Sequence, residues 1–259
     1  MVSEIVYDLS MDEPDRHVTV VTGAGSGIGA AIAAMLAARG DAVVVNDLRA
    51  DAAETTAGRI RAAGGSAIAC SGDVSEPAFA TSLIATTLST FGHVDALVNN
   101  AGILTRATVQ ELDPAVWDRV ISVNLRSVFL CSQAAAHAMI SRGGGAIVSI
   151  TSVRAFAGAA MAPHYAAAKA GVVGFTRSFA GEVAQHGIRV NAVAPGLTDT
   201  DQPRSILTEA EMEIAAREIP LGRMAQPSDI ASAVLFLCSP AASHITGTTL
   251  LVSGGSYVG

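Results

Sequence analysis

Tyr165 and Lys169 stand four residues apart, and Ser152 precedes the tyrosine by thirteen. On a helix, positions i and i+4 share a face. A tyrosyl hydroxyl can give or take a proton at a carbinol oxygen if its pKa is brought toward the working pH. A nearby ammonium favours the phenolate and would do this, while the Ser152 hydroxyl can hold the substrate oxygen beside it. The spacing alone also fits an ordinary amphipathic helix, so composition matters here. The chain has 15 arginines and a single lysine, Lys169. A planar guanidinium is a poor replacement for a compact ammonium in a tight site, which ties the lone lysine to a task at Tyr165. Asparagine is also scarce: of five in all, Asn99, Asn100, Asn124 and Asn191 lie in the segments that matter below.

A second group of residues suits a dinucleotide. An apolar run leads into Thr22-Gly23-Ala24-Gly25-Ser26-Gly27-Ile28-Gly29 and then into the helical stretch Ala30–Arg39. Glycines allow a sharp turn and close approach to a pyrophosphate, and the helix start supplies oriented N–H groups. A glycine cluster can also be a tight turn, but here the strand, the helix and a following acid agree. That acid is Asp47, 18 residues beyond Gly29. Its carboxylate would accept both ribose hydroxyls and repel a 2′-phosphate, favouring NAD over NADP; otherwise it caps the next helix. Arg49 could soften the preference, yet the glycine loop itself contains no basic residue.

Elements able to hold these groups recur along the chain. Seven apolar runs, His17–Val21, Ala42–Asn46, Ser66–Cys70, Asp95–Val98, Ala146–Thr151, Arg189–Val193 and Thr248–Val252, are separated by long Ala-rich stretches. Runs apolar throughout suit strands covered on both faces, and the stretches between are long enough for crossover helices. The expectation is an α/β, doubly wound, seven-stranded parallel sheet of the Rossmann type with helices on both faces. Residues 17–259 form one domain, with the cofactor part over about 17–150 and the catalytic part over about 151–259, behind an acidic extension at 1–16.

Of 259 residues, 50% are hydrophobic and 15% charged, and the net charge is -7. This acidic balance disfavours a nucleic-acid partner, and the apolar content disfavours disorder. Cys70, Cys131 and Cys238 show no ligand spacing and read as buried thiols of a reducing, cytoplasmic protein. The histidines form no ligand cluster, so no metal is implied; His164, next to Tyr165, points off the Tyr-Lys face and reads as structural. Residues 230–259 lack any Asp, Glu, Lys or Arg, but polar and glycine interruptions exclude a membrane span. This stretch is expected to be buried between subunits.

Together these residues resemble the short-chain dehydrogenase/reductase family, in its single-domain subgroup similar to 3-oxoacyl reductases, over about residues 17–255. The motifs are the Thr22–Gly29 loop, Asp73 in Gly72-Asp73-Val74, Asn99-Asn100-Ala101-Gly102, Asn124, Ser152, Tyr165, Lys169, and Pro195-Gly196 with Thr200. The resemblance implies Tyr165 as general acid/base, Lys169 on the nicotinamide ribose and lowering the Tyr165 pKa, Ser152 positioning the substrate oxygen, and Asn124 holding a relay water. It implies Gly23, Ser26, Gly27, Ile28 and Gly29 at the pyrophosphate, Asp73 and Val74 at the adenine, and Asn100, with Ala101 and Gly102, at the ribose. Pro195 and Gly196, with Thr198 and Thr200, would meet the carboxamide. It further implies a homotetramer.

One departure is Ser253, where the family usually has Asp. Specificity would come from the segments after Ser152 and Gly196: Arg154, Phe156 and Met161 in the first, and Leu197 opening a mobile, partly helical lid to Ile219 with Leu207, Met212 and Ile214 as apolar contacts. Arg154 could pair with an anionic substrate group, bond to the lid or lie in solvent. The expected activity is hydride transfer between NAD(H) and a secondary alcohol or ketone. The alternatives are a 3-oxoacyl thioester reductase using NADPH, which lacks its basic docking cluster after Phe179-Ala180-Gly181-Glu182, and an inactive dinucleotide-binding sensor or scaffold.

Overall fold

The computed structural model describes residues 16–258, so the acidic extension lies outside them apart from Arg16. Seven strands, β1 (Val18–Val21), β2 (Ala42–Asp47), β3 (Ser66–Ser71), β4 (Ala96–Asn99), β5 (Gly145–Ile150), β6 (Ile188–Pro195) and β7 (Thr249–Val252), form one parallel sheet in the order β3-β2-β1-β4-β5-β6-β7. Each apolar run of the sequence is one of these strands, displaced by at most two residues at an end. The helices are α1 (Gly27–Arg39), α2 (Ala50–Ala62), α3 (Pro77–Phe91), α4 (Pro114–Ile121), α5 (Ser127–Arg142), α6 (Arg154–Ala157), α7 (Pro163–Val183), α8 (Asp201–Arg204), α9 (Glu209–Glu218) and α10 (Pro227–Cys238).

The strands are apolar throughout because both faces are covered. Val21, Val43, Val45 and Val148 pack with Ile32 and Leu36 of α1, Ile60 of α2, and Ile230, Val234 and Leu237 of α10. The alternate residues Val20, Val44, Leu97 and Ile147 face Leu83 of α3, Cys131 and Met139 of α5, and Val183 of α7. Strand order reverses between β1 and β4, and ligands of such sheets bind beyond the carboxyl ends of the strands at that reversal. Helix α1 opens at Gly27 rather than Ala30, since the Ala30 N–H already bonds the Ser26 carbonyl at 3.1 Å.

The uncharged C-terminal stretch is explained largely within one subunit. Ile230, Ala231, Val234 and Leu237 are fully buried in its own core and β7 closes its own sheet, whereas Phe236 and Leu250 remain exposed.

A charge cluster closes the opposite, amino-terminal edge of the sheet, beside a cleft of about 830 Å³. Asp41, with its side chain buried, accepts hydrogen bonds from Arg39, His17 and Thr19. Burial alone would raise its pKa, but the bonds from His17, Arg39 and Thr19 outweigh it and hold the carboxyl at about 2. Asp41 therefore binds its proton later in the folded chain than in the unfolded one. Its stabilisation, on the order of 2 kcal/mol, is complete above about pH 4 and is lost as the pH falls toward 2. Chemical denaturation across this acid range is expected to show a shallower decline for Asp41→Asn than for the wild type, from a lower starting stability.

Candidate active site

Strand β5 delivers Ser152 to the carboxyl edge of the sheet, and α7 carries Tyr165 and Lys169 past it. Two bonds clamp helix to strand: the Thr151 hydroxyl donates to the Lys169 carbonyl at 2.7 Å, and Lys169 Nζ donates to the Ile150 carbonyl at 2.8 Å. Lys169 is thereby buried, with Nζ 5.7 Å from the centre of the Tyr165 ring. Ser152 Oγ accepts the Arg154 main-chain N–H at 3.1 Å, and Ser152 is close enough to the Tyr165 hydroxyl to pull its pKa down.

The electrostatics differ from the expectation that the ammonium lowers the tyrosine. Burial lifts the Tyr165 hydroxyl above its ordinary value, and the opposing influences are the Ser152 hydrogen bond and the positive charge of Arg154. Lys169 sits over the ring with its proton turned to a backbone carbonyl, and burial brings its own pKa down to about 8. The Arg154 charge thus favours the phenolate, and Lys169 Nζ lies 5.7 Å from the ring centre.

Asn124 reaches the site from a π-helical turn, Ser122–Arg126, between α4 and α5. Such turns concentrate at functional sites. Its Nδ2 donates to the carbonyls of Ile103 (2.9 Å) and Val120 (3.0 Å), while its buried Oδ1 has no protein partner. A Cβ placed on Gly102 would lie 2.7 Å from that Oδ1 and 3.5 Å from Lys169 Nζ. Asn124, Lys169 and Gly102 thus converge on one spot where a polar ligand atom or water would satisfy the oxygen.

The glycine loop is held from two sides. Asp47, at the end of β2, accepts the Gly25 N–H on Oδ2 and the Arg49 N–H on Oδ1, each at 3.0 Å. A Cβ on Gly25 would fall 2.6 Å from that carboxylate. From β4, Asn100 Nδ2 donates to the carbonyls of Thr22 (3.0 Å) and Gly23 (2.8 Å), and the Asn100 and Ala101 N–H groups bond Thr22 Oγ1. Asn100, read from sequence as a ribose contact, here spends its amide on the loop. Across the groove, a Cβ on Gly27 would lie 3.4 Å from Thr200, and the Thr198 hydroxyl donates to the Gly196 carbonyl. Pro195 ends β6 in the core, and Gly196 packs so closely on Ser253 that a Cβ would meet backbone at 2.9 Å. Asp73 is bonded by Ser75 and Arg119; these bonds outweigh burial and lower its pKa. Val74 beside it is buried, and Ser26 and Ile28 open α1.

The expected substrate residues gather at the mouth. Arg154 is exposed at the start of α6, and Phe156 stacks on Tyr257 with ring centres 5.5 Å apart. The Met161 carbonyl accepts the Ala107 N–H at 2.8 Å, and Leu197, half-buried, follows Gly196. In the segment Leu197–Ile219, α8 and α9 are helical; Met212 is buried and Leu207 half-buried, while Ile214 is exposed. His164 is fully buried and meets Thr105 Oγ1 at 2.7 Å, tying down the loop after β4 away from the Tyr-Lys face. Among the described residues no His, Cys, Asp or Glu cluster is placed to hold a metal ion. The three cysteines are free, and no described helix is long and apolar enough to cross a membrane.

The family profile described as "Enoyl-(Acyl carrier protein) reductase" matches residues 23–257. The cis-4-hydroxycyclohexanecarboxylate dehydrogenase of Sinomonas cyclohexanicum is 45% identical over 241 residues, covering 93% of this chain and 96% of its own. The chain belongs to the short-chain dehydrogenase/reductase family. Another relative, the 3-oxoacyl-[acyl-carrier-protein] reductase of Synechocystis, is 43% identical, covering 92% of this chain and 96% of its own. A solved structure of a 7α-hydroxysteroid dehydrogenase complexed with NADH and 7-oxo glycochenodeoxycholic acid superposes with a TM-score of 0.90 at 39% identity, covering 93% of this chain and 95% of that one. As a short-chain dehydrogenase/reductase, the protein is an oxidoreductase, and its fold is that of the single-domain members.

Sequence reasoning missed some of what builds this short-chain dehydrogenase/reductase site. Thr22 and Thr151, whose hydroxyls fix the loop and the Tyr-Lys helix, and Arg119 on Asp73 stand far in sequence from their partners. Tyr257 had a usable signal, since the chain has only three tyrosines.

Proposed function

We propose that the protein is an NAD-dependent dehydrogenase that interconverts a secondary alcohol and its ketone. The observation that carries this reading is the Ser152–Tyr165–Lys169 cluster at the sheet edge, facing a glycine loop that is locked to Asp47. The residues fit a dinucleotide: the turn before α1 packs too tightly at Gly23, Gly25 and Gly29 to carry side chains, and the unpartnered Asn124 Oδ1 lies beside Lys169. Gly23, Gly27 and Gly29 with the start of α1 would hold the pyrophosphate, Asp47 the adenosine ribose, Asp73 and Val74 the adenine, and Lys169 with the backbone of Asn100, Ala101 and Gly102 the second ribose. Gly196, Thr198 and Thr200 would hold the carboxamide.

When bound, NAD supplies the hydride-accepting ring. The chain's own residues handle position and proton. Ser152, its oxygen fixed by the Arg154 N–H, presents its hydroxyl to the substrate oxygen beside Tyr165. Tyr165 takes the proton of the alcohol as the carbinol hydride departs and returns it in the reverse direction. The positive charges of Arg154 and Lys169 favour the phenolate that this requires, and Asn124 holds a water through which the proton reaches solvent.

The preference for NAD rests on Asp47. Both its oxygens are anchored by backbone N–H groups, so it cannot swing aside for a 2′-phosphate, and the Arg49 Nε is 4.0 Å away and exposed. Assay of secondary alcohols, polyols, steroids, cyclic alcohols and hydroxy acids with NAD and NADP is expected to give NADH formation. Asp47→Ala is expected to narrow the NAD:NADP ratio of kcat/KM by roughly 10-fold to 100-fold. A strong NADPH preference with 3-oxoacyl thioesters would favour the second reading, which the 3-oxoacyl-[acyl-carrier-protein] reductase relatives support. We further propose a cytoplasmic homotetramer that covers Phe129, Phe236 and Leu250, all exposed in the single chain. Sedimentation velocity checks this, and a monodisperse monomer overturns it.

A further inference from the structure

We infer that the mouth beside Ser152 and Tyr165 accepts a substrate carrying a carboxylate on an apolar body, with Arg154 taking the carboxylate and the stacked Phe156–Tyr257 pair forming the apolar wall. This rests on the dehydrogenase reading above and names the substrate class of the same site.

The first support is the state of Arg154. Arg39, Arg119, Arg204 and Arg223 are each bonded to an aspartate. Arg154 is exposed and enters no ion pair or side-chain hydrogen bond among the described residues. The surrounding stretch, residues 152–163, contains no acid. The residue is nevertheless anchored beside the site at its backbone, because the Arg154 main-chain N–H bonds Ser152 Oγ at 3.1 Å, and its charge is felt at the Tyr165 hydroxyl. A cation rooted two residues beyond Ser152 and left without a protein carboxylate would be matched by a carboxylate on the substrate, which guanidinium binds through two parallel hydrogen bonds.

The second support is the wall. Phe156 lies two residues beyond Arg154 and is 37% exposed, and its ring is inclined by 22° to that of Tyr257. Tyr257 is fixed from several directions. Ser253 Oγ donates to the Tyr257 carbonyl at 3.1 Å, Ser253 packs on Gly196, and the Leu221 N–H bonds the Gly254 carbonyl at 3.0 Å. The C-terminal segment thus joins the substrate loop, the Gly196 turn and the end of the lid. An offset-stacked aromatic pair offers a broad apolar face, which suits a ring or an alkyl body better than a polyol.

The test compares hydroxycyclohexanecarboxylate and β-hydroxybutyrate, each beside its carboxamide, which keeps the skeleton and removes the charge. Wild-type kcat/KM is expected to favour acid over amide by roughly 10-fold to 100-fold. In R154Q that ratio should collapse toward one, chiefly through KM, and R154K should restore part of it. Y257A should lower the preference for the cyclic acid over the acyclic one. A ratio unchanged in R154Q, or an R154Q effect that shifts the pH profile equally for acid and amide, overturns the inference, since Arg154 then acts only through Tyr165. If no member of either pair is oxidised, the dehydrogenase reading is judged separately, by NADH formation across the wider panel of alcohols. Calorimetric titration of the two carboxylates into wild type and R154Q then decides the anion subsite: tighter binding to wild type supports it, and equal binding overturns it.

Discussion

Replacing Tyr165 by phenylalanine is expected to lower kcat for alcohol oxidation by about 10³-fold, within the range that positioned general acid–base groups contribute. The ring stays, so its packing against Lys169 and α7 stays with it, and the folded state loses at most one hydrogen bond of the tyrosyl hydroxyl, about 1 kcal/mol. Thermal unfolding should therefore move by only a few degrees. Single-turnover stopped-flow at saturating substrate separates the chemical step from release. Retention of more than a tenth of the wild-type rate would place the proton acceptor elsewhere. The reverse reaction should suffer equally, because the same hydroxyl must return the proton.

Lys169→Arg is the second large effect, and a structural reading of that position predicts something different from a catalytic one. Nζ is enclosed between the Ile150 carbonyl, the Tyr165 ring and the Asn124–Gly102 corner. Burial lowers its pKa to about 8, so the site tolerates the neutral amine; a guanidinium keeps its charge and is bulkier. Overpacking of this kind costs about 1–3 kcal/mol, which a domain of ordinary stability survives. Activity is expected to fall by about 10²-fold or more, with circular dichroism unchanged and a lower melting temperature. Full turnover in this variant would detach the lone lysine from the chemistry.

The sheet was legible because a strand buried on both faces has no polar alternative; Val43, Val44 and Val45 could be nothing but interior. The glycine loop, Asp47 and the Tyr165–Lys169 pair were legible for a related reason: their spacing is dictated by one strand end or one helix turn. What escaped depends on where distant segments meet. Nothing near Thr22 announces that its hydroxyl will take two N–H groups from the turn after β4. The π-helical turn around Asn124 has no local signature, because Ser122–Arg126 reads as ordinary helix. The bond from Lys169 to the Ile150 carbonyl was not legible either, since helix spacing puts two side chains on one face without saying which atom meets which. Much of the uncharged tail, read from sequence as interface, is this subunit's own core, and a one-dimensional count cannot separate those residues from Phe236 and Leu250, which stay exposed.

The clasp between Asn100 and the glycine turn bears on how fast the enzyme can be filled. With Thr22 and Gly23 bonded to the exit of β4, and Gly25 to the end of β2, the turn proposed to carry the phosphates is fixed by the protein's own hydrogen bonds. The ordering entropy of that loop is settled during folding and is not subtracted from affinity. Association then awaits no rearrangement of that turn, so at this end of the groove the encounter rate is governed by diffusion and orientation. Any slow step in loading must arise at the other end, in the segment from Leu197 to Ile219.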